Sequence, residues 1–81
     1  MIKILFFAQL RERLGVSELI LEVVPPTVSE LRDVLSEKGK LWQELLQSGQ
    51  CLAAVNQTIS PDETTLNAGD EVAFFPPVTG G

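Results

Sequence analysis

Leu19-Ile20-Leu21-Glu22-Val23-Val24-Pro25-Pro26-Thr27-Val28-Ser29-Glu30-Leu31 holds a strand, its stop and the start of a helix in one short run. Glu18–Val23 reads as a strand, with Leu19, Leu21 and Val23 on one face and Glu18 and Glu22 on the other. Pro25-Pro26 ends it, because proline has no N–H for a ladder bond. Thr27-Val28-Ser29-Glu30 fits a capping box. In it the Thr27 hydroxyl accepts from the amide of residue 30, and the Glu30 carboxylate reaches back to the amide of Thr27. The helix that follows puts Val28, Leu31, Val34 and Leu35 on one stripe and stops near Gly39.

Upstream, Ile2–Gln9 alternates Ile2, Ile4, Phe6 and Ala8 with Lys3, Leu5, Phe7 and Gln9, a strand expected to be largely buried on both faces. Gly15 marks a turn, so the first two strands are expected to form a hairpin with a short connection. Downstream, Leu41–Gln47 is a short helical stretch carrying Leu41, Trp42, Leu45 and Leu46. Cys51–Val55 is a third strand, Ile59 lies in a minor one between turns, and Glu71–Phe75 is the last. One main helix on a mixed sheet of four or five strands is an α+β domain. The order matches the β-grasp, or ubiquitin-like, arrangement, with the first and last strands parallel at the sheet centre. The expected division is a domain over residues 1–75 and an extended tail over 76–81.

With 81 residues the chain is one domain with a modest core, roughly 60% of the unfolded surface being buried. Its 44% hydrophobic and 21% charged residues are those of an ordinary globule. The net charge is −5, and residues 41–81 contain five acidic groups and no Lys or Arg. That balance disfavours nucleic acid and fits a basic groove on another protein, or an acidic surface that serves only solubility. With no His and a lone Cys51, neither a Ser-His pair nor a multi-cysteine metal site can form. Cys51 sits in an apolar run and is expected to be buried packing. No targeting or membrane-spanning pattern is visible, so the expectation is a soluble cytoplasmic protein.

Chemistry is concentrated at the end, Phe74-Phe75-Pro76-Pro77-Val78-Thr79-Gly80-Gly81. Pro76-Pro77 forces extended backbone, and the tail Pro76–Gly81 can project about 20 Å at roughly 3.3 Å per residue. Two terminal glycines are either a frayed end or a side-chain-free end able to thread a narrow tunnel. A carboxylate is a poor electrophile and must first be activated, most simply as an acyl-adenylate. A sulfur nucleophile can then displace AMP to leave a thiocarboxylate, or an amine can take the acyl group. No phosphate-binding loop is present, so a separate enzyme must use the ATP.

Phe6-Phe7-Ala8-Gln9-Leu10-Arg11-Glu12, Leu52-Ala53-Ala54-Val55-Asn56-Gln57 and Gly69 through Gly81 resemble the small-subunit family of molybdopterin synthase, MoaD. The resemblance spans essentially the whole chain, and the terminal motif is its most specific part. It implies a sulfur carrier in molybdenum cofactor biosynthesis. Gly81 would be adenylated by a MoeB-like activating enzyme and converted to a thiocarboxylate, with Gly80 giving tunnel clearance. The charged tail would enter a MoaE-like large subunit, in a heterotetramer, and give sulfur to cyclic pyranopterin monophosphate. No cofactor is expected to be bound; the adenylate and thiocarboxylate are covalent states of Gly81.

Strand parity adds a docking surface. If Phe6 and Phe74 face the core, Phe7 and Phe75 share the opposite face, with Ile59 as a third member. Together with Pro76, Pro77, Val78 and Thr79 they form the expected partner-binding set. The competing arrangement folds Leu41–Gln47 over these rings. Rival functions are a thiazole-synthesis sulfur carrier, a ubiquitin-like protein modifier joined through Gly81, or a passive interaction module.

Overall fold

The computed structural model describes residues 1–77. In chain order its elements are β1 (Ile2–Phe6), α1 (Ala8–Leu14), β2 (Glu18–Leu21), α2 (Val28–Ser36), α3 (Lys40–Leu46), β3 (Leu52–Val55), β4 (Thr58–Ser60) and β5 (Glu71–Phe75). The sheet order is β2-β1-β5-β3-β4. β1 and β5 are parallel and the other pairs antiparallel, the β-grasp arrangement with the first and last strands central.

Every second residue of the central strands enters the core. Ile2, Ile4, Phe6, Val72, Phe74 and Ala53 are buried against Val28, Leu31 and Leu35 of α2 and Leu46 of α3. Burying each large side chain is worth about 1.5–3 kcal/mol. The Phe6 and Phe74 rings stack at 6.1 Å, and Trp42 meets Phe6 edge-on at 5.5 Å. Trp42 and Leu45 thus complete the core.

The first strand is shorter than its alternation predicts. β1 stops at Phe6, and Ala8–Leu14 forms α1. Every residue in that segment is a good helix former, and Leu10 and Leu14, four apart, pack against the core. Gly15, at φ 75°, closes the helix with its N–H on Arg11 O at 3.0 Å. β1 and β2 therefore pair as expected but are joined through a helix. Nor is β1 buried on both faces, since Lys3 is exposed and Leu5 half-buried.

β2 ends at Leu21, and Val23 leaves the sheet, 82% exposed. Val34 is also exposed, lying about a quarter turn off the Val28–Leu31–Leu35 line at roughly 100° per residue. The capping box at α2 is half made. Thr27 Oγ1 accepts from Glu30 N at 3.2 Å, while the Val28 and Ser29 amides donate to Thr64 O and Asp62 O. The loop after β4 thus satisfies two further donors of the helix N-terminus.

Candidate functional site

β5 lies between β1 and β3, so the chain leaves the fold from the middle of the sheet. Its last residue, Phe75, pairs with Leu52 of β3. Phe7 N donates to Phe74 O at 3.1 Å, tying the end of β5 to the start of α1. Pro76 and Pro77 then interrupt the ladder because neither offers an N–H. Pro76 is half-buried and Pro77 exposed; Val78, Thr79, Gly80 and Gly81 lie outside the described residues.

The registers define what surrounds this exit. Leu5 pairs with Ala73, Ala73 with Ala54, and Ala54 with Ile59, giving a row of apolar residues across four strands. One step along, Phe75 and Leu52 share the same face, and Phe7 follows Phe6 on extended backbone (φ −118°, ψ 156°). Phe7 is 45% exposed, Ile59 65% exposed and Phe75 half-buried. The alanines at 54 and 73 are small, so the neighbouring large side chains stand above them. The core residues, and the helices packed on them, belong to the opposite face.

Phe7 and Phe75, which sequence parity puts on one face, are joined there by Ile59 through the β3–β4 register, and α3 does not cover them, since Trp42 packs on Phe6. The same reasoning missed Leu5, Leu52, Ala54 and Ala73. Their alternation was visible, but their juxtaposition depends on the strand registers. An apolar sheet face beside the point where the chain runs on from β5 through exposed Pro77 suits docking to a shaped partner surface.

Among the described residues no three His, Cys, Asp or Glu side chains are grouped to hold a metal. Cys51 is buried, and burial pushes its thiol above the ordinary value of 9.0 against the opposing pull of Arg32. Asp70 stabilises the turn before β5. Asn56 Nδ2 donates to it at 3.0 Å and the Asn67 amide at 2.8 Å, and these bonds hold its carboxyl below 3.8. Asn56 Oδ1 also accepts from Glu71 N at 3.0 Å, so this turn latches β3 to the start of β5.

A family model described as the ThiS family matches residues 4–81. The chain belongs to the ThiS family. Among its relatives, the molybdopterin synthase sulfur carrier subunit of Haemophilus influenzae is 48% identical over the full length of both chains. A solved complex of subunits 1 and 2 of the molybdopterin-converting factor from Helicobacter pylori contains a similar chain. That match has a TM-score of 0.68 and 30% identity, covering 99% of this chain and 97% of the other. Small archaeal modifier protein 1 of Methanosarcina acetivorans matches with a TM-score of 0.81 and 26% identity, covering 99% and 95%. The ThiS-family match runs through the uncovered face and on to the terminal glycine. No helix among the described residues is long and apolar enough to cross a membrane.

Proposed function

We propose that this chain is the sulfur-carrier small subunit of a molybdopterin synthase. The observation that carries the reading is the full-length 48% identity to the Haemophilus influenzae sulfur carrier subunit. In this reading a separate adenylating enzyme joins the Gly81 carboxylate to the AMP moiety of ATP, releasing pyrophosphate. A sulfur donor then displaces AMP, and Gly81 becomes a thiocarboxylate. Gly80 keeps the approach narrow, and Val78 and Thr79 extend the proline spacer. A large subunit is the partner, as the two-subunit complex of the Helicobacter pylori relative supports, and the face carrying Phe7, Ile59 and Phe75 docks on it. The tail then gives its sulfur to cyclic pyranopterin monophosphate, and water restores the carboxylate for another cycle. The carrier brings binding and delivery, and its partners bring the catalysis.

The test is intact-mass measurement after incubation with ATP, a MoeB-like adenylating enzyme and a sulfur source. Replacing one oxygen by sulfur adds about 16 Da, expected on the C-terminal peptide and absent when Gly81 is deleted. A deletion variant that still gained the mass would overturn the assignment.

The likeness to small archaeal modifier protein 1 favours a second reading, transfer of the activated Gly81 to protein amines. Isopeptide-linked conjugates that require Gly81 would support it; sulfur gain without conjugates supports the carrier.

A further inference from the structure

The two ends of the sheet are protected differently. β4 is three residues long, follows a tight turn, and has its Thr58 carbonyl occupied by Ser60 Oγ at 2.7 Å. β2, at the other edge, contains no proline and no lysine, the usual devices against further pairing. Phe6 N donates to Ser17 O at 2.9 Å, and the register continues with Ile4 opposite Leu19 and Ile2 opposite Leu21. In an antiparallel ladder this turns the main-chain groups of Ser17, Leu19 and Leu21 toward β1. Those of Glu18 and Ile20 therefore point outward, and Glu22 follows just beyond the strand end.

The side chains around this edge select what can pair with it. Ile20 is 49% exposed, and beyond the strand end Val23 is more exposed still. Glu18 shares an ion pair with Lys3 at 3.5 Å, and Glu22 has none among the described residues. Two copies of β2 pairing antiparallel about Ile20 would bring Glu18 of each close to Glu22, just past the strand end, of the other. Like charges in that position repel, so the edge disfavours its own copy and favours a basic strand.

We infer that the outer edge of β2 is a strand-addition site for an extended segment of a partner protein. That segment carries an apolar residue opposite Ile20 and Lys or Arg opposite Glu18 and Glu22. Main-chain hydrogen bonds supply the attraction and the two glutamates supply the selection. The inference is independent of sulfur transfer. Ile20, opposite Lys3, stands on the same sheet face as Leu5 and Phe75, so the edge adjoins the uncovered face, but the pairing itself uses the outward main chain of β2.

The test is a titration of the isotope-labelled full chain with the synthetic peptide acetyl-SKTVTRS-amide, followed by backbone amide NMR. Saturable shifts centred on residues 17–23, with slowed hydrogen exchange at the Ile20 amide, are expected. Glu22→Lys should weaken binding about fivefold to tenfold at low salt, and Phe7→Ala should leave it unchanged. Ile20→Pro removes an outward N–H at an edge position that tolerates proline, and should abolish binding. If that variant fails to fold, Glu22→Lys decides alone. Any of four results overturns the inference: no saturable shifts, shifts on the Ile59 and Phe75 face, equal binding of acetyl-SETVTES-amide, or a β2-mediated dimer by sedimentation.

Discussion

Arg32 Nη1 donates to the Sγ of Cys51 at 3.2 Å, inside a core that leaves the arginine only 6% exposed. The same guanidinium bonds Leu46 O at 2.9 Å, Gln47 O at 3.2 Å and Cys51 O at 3.0 Å. Its Nε pairs with Asp62 at 3.0 Å, and its carbon lies 5.3 Å from the centroid of the Phe74 ring. One side chain thus joins α2, the end of α3, the start of β3 and the loop that caps α2. The planar fork makes this possible, since an ammonium cannot reach the same acceptors together.

Arg32→Ala is therefore expected to cost about 3–5 kcal/mol, because buried carbonyls and the Asp62 carboxylate lose their donor. Arg32→Lys should recover only part of it. Urea denaturation of the three proteins measures both, and a loss below about 1 kcal/mol for the alanine variant would contradict the hub role.

Cys51 should resist thiol reagents in the native protein and react at a rate set by unfolding. Its raised pKa also gives a sign. The unfolded thiol ionises first, so stability from this group is full below pH 9.0 and falls as pH rises beyond it. Cys51→Ala should flatten that alkaline decline in denaturation curves taken across the range.

Asp70 acts in the opposite direction. Its lowered pKa contributes stability above the ordinary carboxylate value of 3.8, and that contribution is lost as pH falls through the lowered value. Asn56→Ala removes the first cause of the shift, so an NMR titration should find the Asp70 midpoint closer to 3.8.

Phe7→Ala should weaken large-subunit binding at least tenfold, a loss of about 1.4 kcal/mol, with thermal stability nearly unchanged. Phe75→Ala should weaken binding similarly but lose some stability, because Phe75 is half-buried. Phe6→Ala and Phe74→Ala are expected to cost about 3–5 kcal/mol of stability as core truncations. Calorimetric titration beside thermal melts separates the two pairs, and severe destabilisation by Phe7→Ala would place that ring in the core instead.

Local signals in this chain were read correctly where one short segment contains both cause and effect. Thr27 caps α2, Asn56 and Asn67 lie in turns, and the paired phenylalanines must split between faces, whereas β2 stops at Leu21, short of the prolines at 25 and 26. Chain order likewise implied the parallel β1–β5 pair, because only a few topologies suit one main helix and these strands. The alternation over Ile2–Gln9 overruns into α1, because a short run with apolar residues at both spacings suits strand or helix until the core selects Leu10 and Leu14. Arg32 and its distant partners, and the row from Leu5 to Ile59, depended on the tertiary structure alone. Burial of a charge and registry between strands are set by residues far apart in the chain, and periodicity carries no record of them.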